Sequence, residues 1–127
     1  MTTELPNFHD GFFDGLWLGP NNLVHLFLRT ADRRAFILEL EGVNRLALTE
    51  VKQGNIILDL IVRTADAMTA ADIQNTYGID DDSPHVSRAL AAAKDEQLQA
   101  LEINPSYGAE GIILFRTWKL IPRLPQP

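Results

Sequence analysis

Cysteine is absent from the 127 residues, which excludes a disulfide framework, thiolate catalysis and thiolate metal sites, and fits a reducing compartment. No apolar run approaches the roughly 20 residues that a helix needs to cross a bilayer. The opening Met1-Thr2-Thr3-Glu4-Leu5-Pro6 carries neither the basic nor the apolar region of a secretory leader, so the expected location is the cytoplasm. Clustered positive charge is also scarce. Eleven Lys and Arg are scattered against seventeen Asp and Glu, for a net charge of −6. Affinity for phosphate backbones comes from grouped Lys and Arg that displace counterions, so neither nucleic acid nor a membrane is an expected partner. There is no G-x-S-x-G elbow, P-loop, H-E-x-x-H helix or dinucleotide-binding glycine pattern. No cofactor and no metal is expected.

What is present describes a globular chain. Apolar residues at 46% and charged residues at 22% are ordinary for folded domains. The length suits a single domain over residues 1–127 whose core needs no covalent staple. No internal repeat or linker divides it.

From Phe12 to Val62 apolar residues recur mostly with a period of two, the signature of strands. The pattern predicts strands over 12–18, 23–30, 35–41, 43–50 and 55–63. Gly19-Pro20-Asn21-Asn22, Ala31-Asp32-Arg33 and Lys52-Gln53-Gly54 supply turns between them. Pairing Leu28 with Phe36, Leu26 with Leu38 and Val24 with Leu40 keeps one face apolar, and a slip of one residue would turn that set outward.

Two helices follow. Thr69-Ala70-Ala71-Asp72 reads as a capping box with Asp for the usual Glu, and Gly78 closes that helix. Ser83 offers an N-cap and Pro84 a first helical residue for a second helix ending near Gln97. A strand at Leu101-Glu102-Ile103, a turn at 104–108, a long strand over 111–121 and a tail punctuated by Pro122, Pro125 and Pro127 complete the chain. The expected fold is α+β: an antiparallel β-sheet of about six or seven strands, with one or two short helices inserted before a C-terminal hairpin.

The second face of this sheet is less polar than a solvated face should be. It carries Trp17, Leu23, Phe27, Ile37, Ile57 and Ile61 among His25, Glu39, Asp59 and Arg63. The chain's own helices, a second copy or another protein are the expected cover. Within this face Trp17, His25, Phe27, Ile37 and Glu39 form the first candidate site, a recognition patch. His25 lies directly opposite Glu39, a carboxylate that favours the imidazolium, and an aromatic residue beside an ion pair and apolar groups is typical of interfaces. A purely structural cross-strand pair is the bland alternative.

His9, Asp10 and Asp14 form the second candidate site. An imidazole and two carboxylates can bind a ligand or metal or exchange protons. In an extended segment over 10–18, however, Asp10 and Asp14 share one side and His9 takes the other. Asp10-Gly11 also reads as ordinary turn chemistry, and His9 as a local hydrogen-bonding residue. Asp80-Asp81-Asp82 lacks the sixth-position Gly and terminal Glu of a calcium loop, and reads instead as charge favouring a helix N-terminus.

Phe8-His9-Asp10-Gly11 ahead of the strands, Leu40-Glu41-Gly42-Val43 and Gly54-Asn55-Ile56-Ile57 resemble small, mostly uncharacterised β-rich bacterial domains, some of them grouped with immunity proteins of polymorphic toxin systems. The similarity spans Phe8 to Val62, with a fainter echo at Ser106-Tyr107-Gly108-Ala109. It implies a toxin-neutralising or other interaction module and assigns no site residue.

Three functions are compatible with these residues. The leading one is a non-catalytic protein-interaction module, immunity-type proteins included, acting through the outer face or an acidic surface. The second is a small enzyme or a ligand- or metal-binding domain built on His9, Asp10 and Asp14, which requires those groups to converge in a cleft. The third is a structural homodimer that buries Trp17, Phe27 and Ile37 between copies.

Overall fold

A computed structural model describes residues 5–80 and 83–123. The expectations for residues 1–4, for Asp81 and Asp82 and for Pro125 and Pro127 lie outside that range. The described residues form eight strands and two α-helices: β1 (Phe12–Leu18), β2 (Val24–Arg29), β3 (Ala35–Glu41), β4 (Arg45–Thr49), β5 (Asn55–Arg63), α1 (Ala70–Tyr77), α2 (Pro84–Asp95), β6 (Gln99–Tyr107), β7 (Glu110–Phe115) and β8 (Thr117–Arg123). The fold is α+β with one antiparallel sheet, and its strand count is eight rather than six or seven.

The β2–β3 hairpin adopts the register that the apolar pattern demands: Leu28 faces Phe36, Leu26 faces Leu38 and Val24 faces Leu40. Its turn closes with Arg33 N–H on Thr30 O and Thr30 N–H on Arg34 O, and Arg33 is left-handed (φ 69°). This is a type I turn followed by a bulge, the common solution for a three-residue loop. In α1, Asp72 Oδ2 accepts the Thr69 N–H (3.0 Å), completing the expected capping box, and Gly78 is left-handed at the C-cap. Ser83 occupies the N-cap of α2, but its side chain makes no capping bond.

The strand order is β4-β7-β6-β5-β1-β2-β3-β8. Its two ends are tied through the chain itself, because β3 runs into β4 across residues 42–44 and β7 runs into β8 across Arg116 alone. The two bent strands pair along their length. At the corner Arg116 N–H donates to Glu41 O (2.9 Å) and Asn44 N–H to Leu114 O (2.8 Å). The register changes by one residue there, a bulge that turns the sheet. The sheet therefore rolls around one core, and Phe13, Leu26, Leu38, Leu40, Ile57, Leu101, Ile113 and Phe115 meet inside it.

Three corrections follow from this geometry. Of the turn expected at 104–108, residues 104–107 are instead the last part of β6 and only Gly108 lies in the β6–β7 turn; Pro105 sits opposite Ile57 at a bulge, where the missing proline N–H is tolerated. The long strand expected over 111–121 breaks at Arg116, because its halves pair with different partners. The bulges in β5 also place Ile57 in the inner core rather than on the outer face.

Both helices lie on the outside of the half formed by β4, β7 and β6. Ile73 of α1 and Val86 and Ala93 of α2 close over Ala100, Ile112 and Leu114 in a second apolar cluster. Strand β7 thus reads as a continuous apolar run because it is covered on both sides.

Candidate functional site

Among the described residues no helix lies over the outer face of β1, β2, β3 and β8, and its side chains form cross-strand rows. One row is Trp17, His25, Glu39 and Lys119; the next is Gly15, Phe27, Ile37 and Ile121; the third is Phe12, Arg29, Ala35 and Arg123. The candidate patch of Trp17, His25, Phe27, Ile37 and Glu39 is thus brought together by strand pairing. Strand β8 extends it with Lys119, Ile121 and Arg123. Sequence reading misses these three because the strand order is not written in a local pattern.

Trp17 is 45% and Ile121 38% exposed, while Phe27 and Ile37 are half-buried by their neighbours. The Trp17 ring lies beside the His25 ring, with centroids 4.9 Å apart. Its indole also rests against Gly19, where a Cβ would come within 2.5 Å of the ring. His25 Nε2 is 2.9 Å from Glu39 Oε1. Lys119 Nζ reaches Glu39 at 3.9 Å and Glu41 at 3.2 Å.

At the far end of the face Arg29 grips Asp14 with two parallel bonds, Nε to Oδ2 (2.6 Å) and Nη2 to Oδ1 (2.9 Å). That fork holds the guanidinium charged beyond its ordinary range, chiefly through the Asp14 hydrogen bond. Beside it, the exposed Asp32 carboxyl is held below the usual carboxylate range, first by the Thr30 hydroxyl and then by Arg34. Arg29 lies over the Phe12 ring (4.5 Å) and Arg123 over Phe27 (5.3 Å).

The second candidate is arranged differently. Asp10 is not extended but left-handed (φ 60°) in a turn closed by Gly11 N–H on Phe8 O. His9 Nδ1 is 2.8 Å from Leu58 O and Nε2 is 3.4 Å from Asp10 Oδ2, with both side chains more than half exposed. Asp14 is the extra residue of a bulge between Phe13 and Gly15, so its carboxylate meets Arg29 instead. Strand parity fails here for that reason. Among the described residues no three His, Asp or Glu side chains gather as a metal site.

A polar cleft of about 340 Å³ opens between α1 and strands β4, β7 and β6, lined by Asn75, Glu102, Asn104 and Glu110 among others. Asn104 Nδ2 bridges Asp59 Oδ1 (2.7 Å) and Glu102 Oε2 (2.8 Å), and Arg63 binds both Glu102 and Asp72. These groups come from β5, β6, β7 and α1, and no local motif announces them.

No protein-family model, curated protein or solved structure matches the chain. Among the described residues no helix is long and apolar enough to cross a membrane.

Proposed function

We propose that this chain is a non-catalytic protein-interaction module that binds another protein through the outer face of β1, β2, β3 and β8. The observation that carries the proposal is the placement of the helices. They cover β4, β7 and β6 and leave Trp17, Phe27, Ile37 and Ile121 facing outward. An aromatic and aliphatic patch, exposed at Trp17 and Ile121 and half-buried at Phe27 and Ile37 and bordered by His25–Glu39 and Arg29–Asp14 pairs, has the makeup of an interface centre with a polar rim.

Curvature narrows the kind of partner. The outer side of a rolled sheet is convex, and two convex faces touch over a small area, whereas stable association buries about 800 Å² per partner. A partner with a groove meets that requirement better than a second copy of the chain. The resemblance of the Phe8 to Val62 pieces to immunity-type domains, which neutralise a toxin by binding it, supports the same reading. A cytoplasmic setting, consistent with the lack of cysteine, belongs to the proposal.

The test is affinity capture from the source cell with the wild type and with a Trp17→Ala, Phe27→Ala variant whose fold is verified by circular dichroism. A protein so identified is then purified and titrated directly. Binding of that protein by the wild type, at least about tenfold weaker for the variant, supports the proposal. Equal binding by both overturns the choice of face. Recovery of the chain's own copies alone, lost in the variant, replaces the proposal with a homodimer.

A further inference from the structure

The β2–β3 turn and the end of β8 bring Arg29, Arg33 and Arg123 to one end of the outer face, with Arg34 at the same turn but lying over the inward ring of Phe36 (5.9 Å). Two aspartates balance them in part, Asp14 on Arg29 and Asp32 on Arg34. Arg33 and Arg123 are exposed, and among the described residues neither has a carboxylate partner. This end therefore carries net positive charge in a chain whose total is −6. The arrangement is also preorganised. Arg29 and Arg123 each lie over a phenylalanine ring, and the small Ala35 stands between them in the same cross-strand row. Two strand spacings, about 10 Å, separate their backbones, and their guanidinium groups reach over Phe12 and Phe27.

We propose that this arginine corner docks an acidic segment of the partner protein, with Asp or Glu carboxylates received by Arg123, Arg33 and the unengaged N–H groups of Arg29. The inference rests on the interaction-module reading and names the chemistry that its partner presents. Guanidinium forks match carboxylate geometry, and stacking on an aromatic ring lowers the entropy lost when they bind. The apolar row of Phe27, Ile37 and Ile121 begins one row away, so an acidic segment followed by apolar residues fits the face along its length. A protein segment fits better than nucleic acid. The phenylalanine rings that would stack bases are covered by the arginines, and the remaining surface repels a phosphate backbone.

The experiment is an NMR titration of the full chain with poly-L-glutamate, following arginine Nε–Hε and backbone signals, alongside parallel titrations with oligo-dT and inorganic phosphate. The expected result is that poly-L-glutamate moves signals of Arg29, Arg33 and Arg123 together and that added salt weakens the binding. The Arg33→Glu, Arg123→Glu variant, whose remaining spectrum reports an intact fold, should bind at least about tenfold more weakly. Shifts scattered over the surface, shifts that survive in the variant, or tighter binding of oligo-dT or phosphate would overturn the assignment. Should poly-L-glutamate fail while Trp17→Ala, Phe27→Ala still abolishes binding of the captured protein, the arginine corner falls and the interaction module stands. Failure of both removes both.

Discussion

His25 Nε2 and Glu39 Oε1 stand 2.9 Å apart at directly opposed positions of β2 and β3. Thr30 N–H bonds Arg34 O at the turn, and hydrogen-bonded pairs alternate from there, so 25 and 39 form a non-hydrogen-bonded pair, in which side chains approach most closely. Their side chains are 20% and 17% exposed, which limits screening by water. A double-mutant cycle of His25→Ala and Glu39→Ala, followed by urea unfolding, should give a coupling of about 0.5–1 kcal/mol. Additive effects would show that the pair adds nothing beyond its backbone register.

Arg63 holds the Asp72 carboxylate, whose side chain is only 4% exposed, and also bonds Glu102 at 3.1 Å. Arg63→Ala removes the counter-charge and leaves Asp72 sequestered beside Glu102. The expected loss of stability is about 3 kcal/mol. Adding Asp72→Asn to the same chain should recover part of it, since the neutral amide needs no cation. Chemical denaturation of the single and double variants decides this, and a single variant within about 0.5 kcal/mol of wild type contradicts it.

Asn55 fastens three segments. Its Oδ1 accepts the N–H of Lys52 (2.8 Å) and of Ala109 (3.0 Å), and its Nδ2 donates to Phe13 O (3.2 Å). Asn55→Ala should cost about 2–3 kcal/mol, because two amide donors lose their acceptor. Gly108 is left-handed (φ 92°), and a Cβ there would come within 2.3 Å of Asn55 Oδ1. Gly108→Ala should therefore destabilise by about 2 kcal/mol or more. The two losses should combine less than additively in the double variant, because both act on one contact; full additivity would separate them.

Pro122 guards an edge. The odd residues of β3 face β8, so Trp118, Leu120 and Pro122 direct their backbone outward from the last strand of the sheet. At 118 and 120 the outward group includes an N–H, and at 122 it does not. Pro122→Thr restores a donor to the edge and should raise self-association. Light scattering and sedimentation at increasing protein concentration measure it. An unchanged monomer fraction would show that Pro122 has no such protective role.

Much of the first half of the molecule was legible in the residues themselves. Strands β1, β3 and β5, the α1 capping box and the pairing of Val24, Leu26 and Leu28 with β3 follow from local alternation and turn chemistry, where neighbours in sequence decide the outcome. That same register sets His25 opposite Glu39 and Trp17 beside them. The tertiary structure alone decided which strands lie side by side, because order in a sheet depends on pairings between distant segments that leave no periodic mark. It broke the last apolar run at Arg116, brought Lys119, Ile121 and Arg123 onto the outer face, and carried Asp14 to Arg29 by a bulge that parity cannot anticipate. It also sent both helices over β7, whose apolar residues needed cover on two sides, and so left the Trp17 face open.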